Sequence, residues 1–261
     1  PPPAELPRSL TARSLVGSAQ LGASAAGAAS LDAALRALPL LRSLSLSRCG
    51  LRALPDLSAA GGALQFLDLA NNSLADARGV ERLPLLVTLD LSGNLLPALP
   101  PLAALARLEI LRVTGNPLTA LPPLPPALTT LIANRTQLGG GGGRNDSSTS
   151  LAALQDMRSL LALDLDSTGL SRTFNATALG LGNLTSLSLS DNPLLPPAAA
   201  ADLRGSPRLR ALFQLGCGLA ALPDLAPVAQ TLRVLDASNN ALSDPNGFPR
   251  RLPRLSTLAL A

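Results

Sequence analysis

Several side chains that usually carry chemistry are missing from this chain. It has no histidine, lysine, tryptophan or tyrosine, and only four phenylalanines in 261 residues. Without histidine there is no Ser-His or Cys-His dyad and no imidazole ligand for a metal. Without large aromatics, a core must be assembled from many similar leucine contacts. All 21 basic residues are arginine and the net charge is +4, but no basic run is interleaved with aromatics, which argues against nucleic-acid binding. The uncharged stretch from Ser14 to Leu31 is mostly serine, glycine and alanine, too weakly apolar for a membrane span. No charged segment precedes an apolar run, so no signal peptide is visible behind Pro1. The glycine run at 139–143 lacks the Lys-Ser/Thr ending of a phosphate loop. Loss of Lys, His, Tyr and Trp beside excess Ala, Arg, Pro and Gly fits a GC-rich coding sequence, so the proline and alanine content carries no functional weight.

What the chain does have is leucine at fixed offsets. The stretch LVTLDLSGNLL (86–96) places Leu86, Leu89, Leu91 and Leu96 around Asn94, and the same frame starts again at Leu41, Leu64, Leu108, Leu128, Leu160, Leu184, Leu209, Leu232 and Leu255. Eight of the nine spacings lie between 20 and 25 residues, and the other is 32. The ninth position reads Cys49, Asn72, Asn94, Asn116, Thr136, Thr168, Asn192, Cys217 and Asn240. This is the pattern L-x-x-L-x-L-x-x-N/C-x-L, and from residue 41 onward the chain resembles the leucine-rich repeat family.

The physical meaning of the frame is direct. Alternating leucines put one face of a short strand inward, because strand side chains alternate. A polar ninth residue can satisfy backbone groups that a sharp turn would orphan. One repeat cannot bury its own leucines, so repeats must stack. The resemblance implies an α/β-type solenoid, a curved array with one parallel β-sheet on its concave face. Its convex segments are expected to be mostly irregular or short-helical: LTALPPLPPA (118–127) reads as extended and LADARGVERLPL (74–85) as a short helical turn.

The expected organisation is a Pro-rich lead with a degenerate capping repeat over residues 1–40, then a solenoid over 41–261 with nine repeats and a truncated tenth. A Gly-rich insertion at 139–150 reads as a surface loop. Since LSTLALA supplies only the strand of the last repeat, the sequence reads as a piece of a longer or processed protein.

The variable strand positions define a candidate binding face. The fifth and seventh positions, with the phenylalanine beside the second strand, supply Phe66, Asp68, Asp90, Arg112, Ile132, Asp164, Asp166, Phe213, Leu215 and Asp236. The face is acidic and small-residue, interrupted by Arg112 and by apolar spots at Ile132 and at Phe213 with Leu215. Asp164 and Asp166 are two carboxylates only, too few to assert a metal site. Cys49 and Cys217 hold the same repeat position seven repeats apart, about 34 Å at roughly 4.8 Å per strand, so no disulfide is expected. No catalytic residue, metal or cofactor is expected.

Five Asn-x-Ser/Thr acceptors occur: Asn71, Asn134, Asn145, Asn175 and Asn183. They favour an extracellular or cell-surface location, although the repeat turn itself brings Asn close to Ser and Thr. The leading expectation is a non-catalytic recognition module of a secreted or surface glycoprotein, taking a protein or glycan ligand on the concave face. A structural subunit contacting neighbouring subunits of an extracellular assembly is a second reading, and an intracellular adaptor a third. A glycan at Asn134 would project into the concavity and confine any ligand to the flanks.

Overall fold

The computed structural model describes residues 12–18, 25–139, 151–170, 174–192, 201–243 and 252–260. Residues 140–150 of the insertion and the lead before residue 12 lie outside them. The chain divides into two compact parts, one of residues 1–118 with 122–128, the other of residues 119–121 with 129–261.

The first part carries β1 (Ala12–Ser14), α1 (Ala25–Arg36), β2 (Ser43–Ser45), β3 (Phe66–Asp68), β4 (Thr88–Asp90) and β5 (Ile110–Arg112). Each strand is parallel to the next, and the register sets Leu44, Leu67, Leu89 and Leu111 side by side. Helix α1 forms where an alanine-rich run places Leu31 and Leu35 one turn apart, so that both meet the core with Leu38 behind them. It stops short of Pro39, which cannot continue a helix. Arg36 in its last turn reaches Asp56 of the following return segment at 3.1 Å.

The second part repeats the scheme with β6 (Thr130–Ile132), β7 (Ala162–Asp164), β9 (Ser186–Ser188), β11 (Ala211–Phe213), β12 (Val234–Asp236) and β13 (Thr257–Ala259), all parallel in sequence order. Its return segments add β8 (Phe174–Asn175) and β10 (Ala201–Asp202), a second, two-stranded parallel ladder.

The repeat strands β2 to β7, β9 and β11 to β13 are each three residues long and centred on the leucine at position four. Leu44, Leu67, Leu89 and Leu111 in the first part, and Leu131, Leu187, Leu212 and Leu235 in the second, are fully buried. Each contributes about 1.5–3 kcal/mol by leaving water. Among the described residues, the return segments are irregular apart from α1, β8, β10 and one-turn 3₁₀ helices such as Val80–Arg82, Ala152–Leu154 and Ala226–Val228.

The turn off each strand has a fixed construction. Position eight lies in the left-handed region in all nine repeats that supply one: Arg48, Asn71, Gly93, Gly115, Arg135, Ser167, Asp191, Gly216 and Asn239, with φ between 53° and 65°. In seven of these repeats its N–H bonds the seventh-position carbonyl of the next repeat, as Asn71 N does to Ser92 O at 2.7 Å and Ser167 N to Ser190 O at 2.8 Å. The asparagine at position nine then ties the turn down. Asn72 Oδ1 accepts from Cys49 N and Leu51 N of the preceding repeat, both at 3.0 Å, while its Nδ2 donates to Leu46 O and Leu69 O. Asn192 and Asn240 make the same four bonds further along the chain. Each asparagine therefore satisfies groups in two repeats at once.

Candidate functional site

With position four buried in the nine repeats from Leu41 to Leu232, positions three and five of each of their strands face out, and position seven continues the same side past the strand's end. These outward positions, in each part by itself, hold every binding-face candidate from the sequence. In the first part, Phe66 is 38% exposed and Asp68, Asp90 and Arg112 are half-buried. In the second, the register aligns Ile132, Asp164, Ser188, Phe213 and Asp236 in one row across β6, β7, β9, β11 and β12. Asp166 and Leu215 belong to the neighbouring seventh-position row.

The aspartates at position five have a role that the repeat frame alone does not reveal. Each turns one carboxylate oxygen onto the backbone N–H two residues later: Asp68 to Ala70 at 3.0 Å, Asp90 to Ser92 at 2.9 Å, Asp164 to Asp166 at 3.0 Å and Asp236 to Ser238 at 3.0 Å. The side chain caps the strand end as an Asx turn does. An ion pair between Asp90 and Arg112 is not formed among the described residues. The sequence does carry a signal for the cap, in Asp recurring one residue after the central leucine.

Asp164 and Asp166 stand apart from the rest. Asp164 Oδ2 also accepts from Asn134 Nδ2 at 3.0 Å, and Asp166 Oδ1 accepts from Ser188 Oγ at 2.5 Å and Ser190 N at 2.6 Å. All these donors are neutral. Burial pushes the Asp164 carboxyl above the usual range, with the nearby Asp166 charge adding to the shift. Asp166 is raised likewise, by burial first and the Asp191 charge second. Among the described residues, no group of three or more His, Cys, Asp or Glu could hold a metal ion.

Beside Asp164 the open face sinks into a hollow of about 390 Å³. Ile132 and Phe213 border it, and the small residues Ala162, Ser186 and Ser188 floor it. Ala162 and Ser186 occupy the third position, from which the sequence singles out only Phe66.

Behind the face, Gln214 takes the sixth position, where the other eight repeats up to Ala237 bury aliphatic side chains. It is fully buried, and its Nε2 and Oε1 have no hydrogen-bond partner among the described residues. Cys49 and Cys217 are buried free thiols, with Sγ bonded to Leu15 O at 3.0 Å and Leu189 O at 3.2 Å. Burial pushes both thiols up, which keeps them in the unreactive form.

The glycosylation acceptors are unequal. Asn71 and Asn175 are exposed. Asn183 is engaged at both ends, donating to Arg158 O at 2.8 Å and accepting from Arg208 Nη1 at 2.7 Å. Asn134 uses its nitrogen on Asp164, and Asn145 lies outside the described residues.

The leucine frame, parallel strands and asparagine-tied turns make the molecule a leucine-rich repeat solenoid. Solved structures bear the same architecture. An internalin of Listeria monocytogenes matches with a TM-score of 0.64 and 19% identity over 87% of this chain and 63% of its own. YopM of Yersinia enterocolitica matches with a TM-score of 0.55 and 26% identity over 85% of this chain and 47% of its own. This chain thus spans less than two thirds of either. No protein-family model matches the chain, and no curated protein does. Among the described residues no helix is long and apolar enough to cross a membrane.

Proposed function

We propose that the chain is a non-catalytic protein-interaction module that binds its partner on the open strand face. The observation that carries this reading is the placing of apolar side chains outward. Phe66 in the first part, and Ile132, Phe213 and Leu215 in the second, stand at outward positions although the inward leucines already form the core. A sheet face exposed only to water gains nothing from such residues, while a face that is covered on binding does. The leucine-rich repeat fold shared with the internalin and YopM supports the same reading, as does the absence of histidine from the chain.

A secreted or cell-surface glycoprotein is the setting we propose for the module, with the exposed Asn71 and Asn175 as the acceptors. The two unpaired thiols favour the intracellular adaptor as a second reading. For the binding reading, partners selected for the intact chain from a displayed protein library are compared on two variants. Phe213→Asp on the open face is expected to lower affinity at least tenfold, and Arg158→Glu on the exposed return side to leave it unchanged. Loss with Arg158→Glu alone would defeat the proposal.

A further inference from the structure

We infer that the hollow between Ile132 and Phe213 receives a basic side chain, arginine or lysine, of the protein partner, with an apolar residue beside it on the same segment. This deepens the open-face reading and rests on it.

The first argument is shape. Ile132 and Phe213 are in-register members of strands three steps apart, about 14 Å at the usual strand spacing. Between them the outward positions shrink to Ala162, Ser186 and Ser188, leaving a cavity of about 390 Å³ with apolar ends. That suits one long side chain entering between two hydrophobic shoulders, which its own aliphatic stem and an adjacent apolar residue can touch.

Charge is the second argument. Asp164 lines the hollow and Asp166 follows it on the same side, and the hydrogen bonds to both come from neutral donors. Capping the strand end does not require a charge at Asp164, because an asparagine oxygen would accept from Asp166 N equally well. The carboxylate is therefore a half-buried charge beyond what the turn uses, and such a charge is stabilised by a cation brought to it. The chain's own cations do not supply one from this face. All 21 basic residues are arginine, yet none occupies the third, fifth or seventh position of any repeat from Leu128 onward. A positively charged chain has kept one face negative, and the complementary partner is basic. Two carboxylates in neutral hydrogen bonds fall short of the six to eight oxygens of a calcium site.

Selection of the intact chain against a random-peptide library tests this. The expected binders carry Arg or Lys next to an aliphatic or aromatic residue, and their binding weakens as sodium chloride is raised. Asp164→Asn keeps the turn bond and is expected to lower affinity at least tenfold. Ser188→Phe fills the hollow while keeping both carboxylates, and is expected to do the same. Binders lost with Phe66→Asp but unaffected by Asp164→Asn and Ser188→Phe would overturn the inference and leave the open-face reading standing. Binders insensitive to every open-face variant would overturn both. Acidic or uncharged selected peptides, or a glycan found on Asn134 of native protein, would also overturn it.

Discussion

A single glutamine shows how closely stability and sequence pattern are tied at the scale of one residue. Gln214 sits at a core position with both polar side-chain atoms unpartnered, and each such group costs about 1–3 kcal/mol when buried. Gln214→Leu restores the aliphatic row and is expected to raise stability by about 2 kcal/mol in urea melts, with unchanged binding on the opposite face. Asp164 provides a residue-scale test in pH. Its folded carboxyl holds the proton more tightly than the unfolded one, through burial and the facing Asp166. Its contribution is therefore fully present below the unfolded value near 3.9, and is lost as pH rises through the raised folded value. Asp164→Asn should gain on the parent protein as pH climbs from about 4 toward neutrality. A stability difference that stays flat with pH would contradict the assigned burial.

At the scale of the element, a strand and its turn behave as one built piece. Leu91→Ala is expected to cost about 2–5 kcal/mol, as for other buried leucines, whereas Asp90→Ala loses the bond to Ser92 N–H, about 1 kcal/mol. Matching losses from the two would mean the strand faces are reversed. At the left-handed position, a methyl group on Gly115 would meet nothing closer than 3.9 Å, so Gly115→Ala isolates the backbone cost, about 1 kcal/mol. Denaturant midpoints measure all three. The leucine frame made strand position, direction and register legible, because burial requires period two and a fixed repeat length. Position eight was not legible: Arg48, Arg135 and Ser167 adopt it beside Gly and Asn, so its conformation is imposed by the ladder rather than by residue preference. The hollow was half legible. Its borders, Ile132 and Phe213, stand out in the fifth-position row, but its floor is made by the smallness of Ala162 and Ser186, which no motif marks. The helix α1 and the β8–β10 ladder lie in stretches where the leucine frame is absent or interrupted, so periodicity had nothing to report there.

For the whole molecule, the surface decides which setting the repeats serve. Intact mass of native protein before and after glycosidase treatment is expected to fall on treatment, with Asn71 and Asn175 occupied in glycopeptide spectra. Native material with all acceptors bare would transfer the leading reading to the intracellular adaptor. The double reach of the asparagines has a consequence for how such a chain can change in length. Asn72 and Asn192 each close bonds in their own repeat and in the one before it, so a duplicated repeat arrives carrying the group its predecessor requires and meets the same need in its successor. Gain or loss of a whole repeat leaves every carbonyl and amide in the ladder matched. Gain or loss of a single residue between position one and position nine leaves one of them stranded in the core, and only the return segment has slack to absorb it. The array is open to copying by the repeat and closed to editing by the residue.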